Sequence, residues 1–192
     1  MNSSEPNAKM EVEEDEAQGS ERPPSVVERY FEQRFKINVK GRQREDHCVL
    51  SHSNRICIIT LAQSHPVVAQ KKTVTSVNFK VNDNLDRLDN KVTGKSKRGA
   101  QILKANSPLC KITCDDGSEY TVYSCIRGML VEVNEHLSQK PNLVVDKFQT
   151  EGYIAVVLPR LHEFEREMKS LLSHEDYKSK MAERDLEAPG DT

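Results

Sequence analysis

The sequence predicts a mainly β domain with a short helix at its N-terminal end and helices at its C-terminal end. Between residues 48 and 159, β-rich runs alternate with turn-forming residues, and no long helical pattern separates them. Hydrophobic residues at helical spacing lie before and after this region. Short strands at close spacing are typical of a small antiparallel sandwich or barrel.

The N-terminal segment is acidic and poor in hydrophobic residues. Residues 1–22 carry seven acidic and two basic residues, and Val12 is their one β-branched or aromatic residue. A segment of this composition cannot bury enough apolar surface to offset the entropy lost on ordering. We therefore expect residues 1–22 to form a disordered acidic tail.

A short helix is predicted where the folded domain begins, at residue 23. Ser25 and Glu28 have the spacing of a capping box, and hydrophobic residues recur at helical intervals from Val27 to Phe35. A helix of about ten residues fits this pattern.

Seven strands are predicted in the middle of the chain. In order, they are Cys48–Leu50, Ile56–Leu61, Val74–Val81, Leu109–Cys114, Tyr120–Cys125, Met129–Val133 and Tyr153–Leu158. Turn-forming residues stand between several of them, at Ser53-Asn54, Asn82 to Asn84, Asp115 to Gly117 and Arg127-Gly128. Asp116-Gly117 in particular predicts a two-residue hairpin turn.

Two helices are predicted after Pro159. Five hydrophobic residues fall on one helical face, where we expect core packing, namely Leu161, Phe164, Met168, Leu171 and Leu172. Ser173 then offers an N-cap for a second helix, which we expect to pack on the sheet. The domain is expected to span residues 23–186, and residues 187–192 are expected to form a second disordered tail.

Composition excludes several classes of protein. Of the 192 residues, 36% are hydrophobic and 30% are charged, and no run approaches the roughly 20 apolar residues of a membrane helix. The acidic N-terminus is unlike a signal or transit peptide, so we expect a soluble intracellular protein. Five cysteines, an odd number in strand-like segments, favour reduced and buried thiols over a disulfide framework.

The residue spacing disfavours a metal site and a catalytic site. Cys48, His52 and Cys57 are close in sequence, but zinc sites usually contain C-x-x-C knuckles, which this chain lacks. No family-specific catalytic signature surrounds Cys125, and Gly94-Lys95-Ser96 lacks the preceding glycine of a phosphate-binding loop. We expect no enzymatic activity, no metal, no other cofactor and no small-molecule substrate.

A segment from Lys91 to Lys104, here called the basic loop, concentrates positive charge. Its five cations are Lys91, Lys95, Lys97, Arg98 and Lys104, and it contains no acidic residue. Such a loop attracts acidic proteins or nucleic-acid phosphates, and Lys95 to Arg98 fit a weak nuclear localisation signal. The alternative is a solvated loop that keeps the domain soluble. The loop has no aromatic residues, which disfavours stacking on single-stranded nucleic acid.

One continuous segment resembles the glycine cleavage system H protein. Residues 123–144, YSCIRGMLVEVNEHLSQKPNLV, are similar to its pattern Y-S-P-x-S-G-E-V-x-E-I/V-N-E-x-L-x-x-N-P-x-L-V. Shorter similarities at Ile58–Gln63, Glu151–Ile154 and Leu172–Tyr177 extend the resemblance over roughly residues 45–185. The resemblance implies a barrel-sandwich hybrid fold, the single hybrid motif of lipoyl and biotinyl carriers.

The same resemblance locates the position where a carrier would hold its prosthetic group. In the H-protein pattern the lipoyl-bearing lysine stands eleven residues before the motif glycine, which here is Gly128. The corresponding residue is Gly117, and residues 114–119 contain no lysine. Lys111 lies farther down the preceding predicted strand. The resemblance therefore implies the carrier's fold without its cofactor, and a lipoyl carrier is the least favoured function.

Segments spread along the chain resemble a narrower, non-lipoylated branch of this family. They are Val26–Phe31, Val39–Gly41, Glu45–Cys48, His52–Cys57, Lys91–Lys95, Lys97–Gln101, Pro108–Ile112 and Glu151–Pro159. This resemblance implies a protein that binds monomeric or filamentous actin and regulates actin polymerisation, filopodia and dendrite branching. It also implies a location in the cytoskeleton of neuronal projections and in nuclear speckles, with no membrane partner. The alternative is a nuclear adaptor that contacts RNA or the transcription machinery through the basic loop.

Overall fold

A computed structural model describes residues 23–187 of the chain. The two predicted tails lie outside the described residues, except that Glu187 is the last residue of a helix. Within residues 23–187, no helix combines the length and the hydropathy needed to span a membrane.

The described residues form eleven strands and five helices. The strands are β1 (Phe31–Lys36), β2 (His47–His52), β3 (Cys57–Leu61), β4 (Val74–Asn78), β5 (Lys80–Asn82), β6 (Leu85–Asp86), β7 (Ile102–Leu103), β8 (Pro108–Cys114), β9 (Glu119–Tyr123), β10 (Gly128–Val133) and β11 (Ala155–Leu158). The helices are α1 (Val26–Tyr30), α2 (Pro66–Ala69), α3 (Leu143–Asp146), α4 (Leu161–Lys169) and α5 (His174–Glu187). Short 3-10 turns lie at Val39–Gly41 and Glu135–Ser138.

The strands pair antiparallel in three sheets. The largest sheet has six strands in the order β1-β2-β3-β11-β10-β7, the second has the order β4-β8-β9, and the third pairs β5 with β6. The mainly β fold class is confirmed, and each of the seven predicted strands is present, with the run Val74–Val81 divided between β4 and β5. Within the described residues, the strands do not close into a barrel.

The main hydrophobic core contains side chains from both larger sheets. Ile59 and Val157 of the six-stranded sheet and Ile112 and Val122 of the three-stranded sheet are fully buried in it. Burial of such side chains contributes on the order of 2 kcal/mol each, so this core dominates the stability of the domain.

A second hydrophobic cluster lies on the opposite face of β1 and β2. Successive residues of a strand point to opposite faces, so Val49 joins the main core while Cys48 and Leu50 join the second cluster. There the Phe35 ring stacks on the Tyr177 ring of α5, with centroids 3.9 Å apart and planes 3° from parallel. The second C-terminal helix therefore packs on the sheet, as predicted.

A buried carboxylate fixes the same helix by polar contacts. Asp46 is fully buried, and Arg184 of α5 donates from Nη1 to Asp46 Oδ2 at 2.6 Å. Ser64 Oγ donates to the same oxygen at 2.8 Å, and the Asn38 N–H donates to Oδ1 at 2.8 Å. Because each oxygen has donors, the buried charge of Asp46 is compensated.

The predicted N-terminal helix is correct at its start and wrong beyond Tyr30. The capping box of Ser25 and Glu28 is present, but α1 ends after five residues and the chain continues as β1. Every residue of β1 pairs with β2, and the Phe35 N–H also donates to the Leu172 carbonyl at 2.9 Å. Pairing with two other segments thus overrides the local helical pattern.

The C-terminal predictions are mostly confirmed. α4 begins at Leu161, and the Asp176 N–H donates to Ser173 Oγ at 3.1 Å, which establishes the N-cap of α5. Met168 is buried in the main core, but Leu161 is 73% exposed, so core packing was wrongly predicted for that residue.

Gly128 lies in β10 rather than in the predicted turn. A Cβ at this position would lie 2.7 Å from Val157 Cγ1 and 2.9 Å from the Leu158 carbonyl oxygen. These distances are too short for a side chain, so glycine is required where β10 and β11 approach each other closely.

Two buried histidines stand against β9. His47 Nε2 accepts a hydrogen bond from the Tyr123 N–H at 3.1 Å, and the His65 ring contacts the Tyr120 ring with centroids 5.3 Å apart. Burial lowers the pKa of His47 to about 4 and that of His65 to about 3, so both imidazoles are neutral at physiological pH.

Candidate partner-binding surface

The basic loop is held at its root by a buried arginine. Arg87 is 4% exposed, and its Nε and Nη2 donate to the Pro108 carbonyl at 3.0 and 2.8 Å. Its Nη1 donates to Gln101 Oε1 at 2.6 Å. Neutral acceptors hold this guanidinium where the loop joins β8, and burial lowers its pKa from the ordinary value.

Asn90 and Gln101 complete the root. Asn90 Nδ2 donates to the Leu130 carbonyl at 2.9 Å, and Asn90 Oδ1 accepts from the Gln101 N–H at 2.8 Å. Gln101 Nε2 donates to the Asp86 carbonyl at 2.8 Å. The side chain of Asn90 therefore bridges the Leu130 carbonyl of β10 and the Gln101 N–H, in place of a direct backbone hydrogen bond between them.

The backbone within the basic loop has a defined shape. Thr93 and Arg98 exchange two backbone hydrogen bonds of 3.0 Å, which closes a small hairpin. Three residues in or beside it have positive φ, namely Gly94, Lys97 and Gly99. A Cβ on Gly99 would lie 2.4 Å from the Lys91 carbonyl oxygen, so the two sides of the loop are in close contact.

The five cations that the sequence singled out lie on this ordered segment. Lys97 is half-buried and the other four are exposed. Within residues 23–187, none of the five forms an ion pair. Lys91 to Arg98 are brought together by the hairpin, whereas Lys104 is separated from them by β7.

The tip of the β8-β9 hairpin is the position that a carrier would modify. The Cys114 N–H donates to the Ser118 carbonyl at 2.9 Å, and the Gly117 N–H donates to the Cys114 carbonyl at 3.1 Å. Asp115, Asp116 and Gly117 thus form a three-residue loop, and the predicted two-residue turn is wrong. In that loop only Gly117 has a positive φ, of 80°, whereas a two-residue type I′ turn needs two such residues.

The two lysines near the tip form ion pairs. Lys72 Nζ donates to Asp116 Oδ2 and, at 3.2 Å, to Ser118 Oγ. The hydrogen bond from Lys72 holds the pKa of Asp116 well below its usual range, and the same bond raises the pKa of Lys72. Lower on the hairpin, Lys111 Nζ lies 2.6 Å from Glu119 Oε2. Both lysines near the tip are therefore paired with a carboxylate, while Asp115 is exposed and forms no ion pair among the described residues.

The cysteines are buried, as the sequence predicts. All five are free thiols in the interior. Burial raises the pKa of Cys57 and of Cys125 to about 12, which makes both poor nucleophiles. In the described part of the chain, no three histidine, cysteine or acidic side chains are grouped as metal ligands.

Sequence reasoning missed the residues that position the basic loop. Arg87, Asn90 and Gln101 act through single side chains that reach distant carbonyls, and no periodic pattern marks them. The exposed side chain of Ile102 was also missed, because it lies in a strand of two residues.

Comparisons with known proteins define the class of this domain. The family model for the glycine cleavage H-protein matches residues 97–184. The crystal structure of a glycine cleavage system H protein from Mycobacterium marinum superposes with a TM-score of 0.52 at 10% identity, covering 79% of this chain and 97% of that chain. The protein therefore has an H-protein-like domain.

Proteins named Abitram match over most of the chain. Those of Xenopus tropicalis and Homo sapiens are 53% identical to it over 161 residues, which cover 84% of this chain and 88% and 89% of those proteins. The Drosophila melanogaster protein is 41% identical over 173 residues, covering 88% of this chain and 78% of that protein. This chain belongs to the Abitram family.

Proposed function

We propose that this protein is a non-catalytic binding protein whose partner is actin, and that the basic loop contacts acidic residues on the actin surface. The observation that carries the proposal is the combination of a fixed loop backbone with five cations that lack acidic partners in the described residues. A fixed loop loses little conformational entropy on binding, and unpaired cations need not exchange one ion pair for another.

The choice of actin rests on the resemblance to the non-lipoylated branch. Membership of the Abitram family supports that resemblance, but it does not by itself identify the partner. The cellular setting that the resemblance implies is part of the same proposal. It comprises regulation of polymerisation and filopodia in neuronal projections, together with a nuclear pool. Lys95 and Arg98, in the hairpin of the loop, are exposed and could contact a nuclear import receptor, whereas Lys97 is half-buried.

Co-sedimentation with filamentous actin tests the proposal. The test variant replaces Lys91, Lys95, Lys97 and Arg98 by alanine, and we call it the four-alanine variant. Each exposed ion pair contributes roughly 0.2–1 kcal/mol, so four together supply about 1–4 kcal/mol. We expect affinity to fall by about ten-fold or more, and wild-type affinity to weaken between about 50 and 300 mM salt as screening shortens the Debye length.

A matched control separates this loop from net charge. It replaces four other exposed lysines that form no ion pair among the described residues, namely Lys36, Lys71, Lys140 and Lys178. The control lowers the net charge by the same amount, so we expect it to keep most of the wild-type affinity. Equal loss in the two variants contradicts a specific role for the basic loop, and no co-sedimentation of the wild type contradicts actin binding itself.

The same loop chemistry suits RNA phosphates, which supports the second candidate function, a nuclear adaptor. Filter binding of the wild type and the four-alanine variant to single-stranded RNA at equal ionic strength separates the two candidates. The loop carries no aromatic residue on which bases could stack, so we expect weaker binding to RNA than to actin. Tighter binding to RNA favours the adaptor.

A further inference from the structure

One edge of the six-stranded sheet is formed by the C-terminal part of the basic loop. β7 is the last strand of that sheet, and it consists of Ile102 and Leu103. Leu103 is fully buried, whereas Ile102 is 57% exposed. Edge strands usually carry charged residues that prevent pairing with other chains, so an exposed isoleucine on an edge points to a partner.

The backbone of Ile102 is directed away from the sheet. The Leu130 N–H donates to the Gln101 carbonyl at 2.8 Å, and the Asn90 side chain bridges the Gln101 N–H and the Leu130 carbonyl, so these two residues occupy a hydrogen-bonded position across β10 and the segment entering β7. Hydrogen-bonded and non-hydrogen-bonded pairs alternate along an antiparallel ladder. The next pair, Ile102 with Met129, is therefore non-hydrogen-bonded. The N–H and carbonyl of Ile102 therefore point away from β10, and neither has a backbone hydrogen bond to another segment among residues 23–187.

Two arginines border this edge. Arg127 and Arg160 line a shallow depression together with Ile102 and Met129. Arg127 is half exposed, with its Nε 3.6 Å from Glu163 Oε1. Arg160 is exposed, and within residues 23–187 it forms no ion pair. The edge thus combines an unpaired backbone donor and acceptor, one apolar side chain and flanking positive charge.

We infer that β7 docks an extended acidic segment of a protein partner, which adds a strand to the sheet. The backbone of the segment pairs with the N–H and carbonyl of Ile102, and a hydrophobic side chain of the segment covers the Ile102 side chain. Carboxylates on either side of it contact Arg127 and Arg160. Strand addition draws affinity from backbone hydrogen bonds and specificity from side chains. The inference goes beyond the proposed function, because it uses residues outside the loop cations and does not require that the partner be actin.

Fluorescence anisotropy on the full chain tests this inference with a labelled peptide of about seven residues, in which acidic residues flank a central valine. We expect a dissociation constant below about 1 mM. Two altered peptides serve as probes of the mechanism. One carries serine at the centre, and the other carries an N-methylated valine that cannot donate a backbone hydrogen bond. Both should bind about ten-fold more weakly.

Variants of the protein complete the test. Ile102→Ser should weaken the valine peptide about ten-fold, and this loss should persist at about 300 mM salt because it does not depend on charge. Arg160→Ala should weaken binding in low salt only. Leu186→Ser is the matched control, since Leu186 is an exposed hydrophobic residue on α5, 87% exposed, and should leave peptide affinity unchanged.

Several outcomes overturn the inference. They are no binding of the valine peptide at about 1 mM, equal binding of the valine and serine peptides, or equal affinity of Ile102→Ser and the wild type. Thermal unfolding shows whether Ile102→Ser remains folded. If Ile102→Ser unfolds, two measurements on folded protein remain. They are the affinity of the wild type for the N-methylated peptide and the affinity of Arg160→Ala for the valine peptide, and wild-type values in both overturn the inference. Loss of actin binding in the four-alanine variant with unchanged peptide binding supports two separate contacts.

Discussion

The hairpin tip and the basic loop lie at opposite ends of β8, and they differ in how charge is compensated. Arg87 at the loop root bonds to Pro108, the first residue of β8, whereas the tip follows Cys114, the last. At a rise of about 3.3 Å per residue, the strand separates them by about 20 Å. Lys72 and Lys111 near the tip each face a carboxylate, while the loop cations face none among the described residues.

This difference indicates where a partner is more readily bound. Charges that are already paired must exchange partners before they contribute to binding, whereas unpaired charges contribute directly. At the tip, Lys72 and Lys111 are already paired with Asp116 and Glu119. The basic loop at the other end has a fixed backbone and cations without ion pairs among the described residues, which supports our proposal that a partner binds there.

Acidification should cause the largest loss of stability, because two buried histidines contact β9, the strand that connects the tip and the loop root. His47 contacts the end of β9 near the loop root, and His65 contacts Tyr120 nearer the tip. The pKa of each histidine is lower in the folded chain than in the unfolded chain, so the unfolded chain binds more protons as the pH falls. The stability they contribute is complete above about pH 6.5 and is lost as pH falls toward 4, with about 2 kcal/mol lost at pH 5 for one histidine.

Urea unfolding at pH 7 and pH 5 measures this loss. Burial raises the pKa of Glu45, which acts in the opposite direction and reduces the observed difference. His65→Gln should shrink the pH dependence, while the exposed His162→Gln should not. If hydrogen exchange shows the loop protected at a pH where the tip has opened, the two ends belong to separate folding units and β9 does not couple them.

Removing the loop anchor should have the next largest effect. Arg87→Ala leaves the Pro108 carbonyl and Gln101 without their donors in a buried position, which costs about 3 kcal/mol of unfolding free energy. Lys72→Met at the tip is the comparison variant and should cost far less, because it removes a single ion pair whose carboxylate, Asp116, is 47% exposed. Arg87→Lys should recover only part of the loss, since an ammonium cannot reproduce the planar fork. Equal destabilisation by Arg87→Ala and Lys72→Met in urea unfolding contradicts the anchoring role of Arg87.

Much of the fold could be predicted from the sequence, and the failures share a physical cause. The strands of the main core and the N-cap at Ser173 are encoded by local alternation and local polar residues, so they were found. The local pattern predicts helix where β1 forms, because the strand depends on pairing with β2 and with Leu172, which are distant in sequence. The loop cations were found from charge alone, but Arg87 and Asn90, which fix their position, act on residues of other strands.

A pair of glycine substitutions compares the two ends with one chemical change. Gly99→Ala combines a positive φ of 81° with a Cβ 2.4 Å from the Lys91 carbonyl oxygen. Gly117→Ala has a positive φ of 80° but open space around its Cβ. Left-handed backbone costs an alanine roughly 1–2 kcal/mol. We expect about that loss for Gly117→Ala and a larger loss for Gly99→Ala, measured by urea unfolding.

The same two glycine variants also test whether actin binding needs the shape of the basic loop. Gly99→Ala should also weaken actin co-sedimentation, since the loop must open to admit the methyl group, while Gly117→Ala should leave it unchanged. Gly94→Ala, also at positive φ but in open space within the loop, is the internal control. Similar actin affinity for the Gly99 and Gly94 variants means that the loop does not need its fixed shape to bind.

The smallest expected effect concerns the acidic N-terminal residues. Residues 1–22 carry a net charge of −5, and the basic loop carries five cations and no acidic residue, so the two should attract each other in the free protein. Removing residues 1–22 should then tighten actin binding by about two- to five-fold at low salt, which corresponds to about 0.4–1 kcal/mol. The gain should disappear in the four-alanine variant, because the site of competition is gone, and also at about 300 mM salt. A gain that persists in both conditions places the competition elsewhere, and the apolar edge at Ile102 is then the surface to examine, because its contacts depend least on charge.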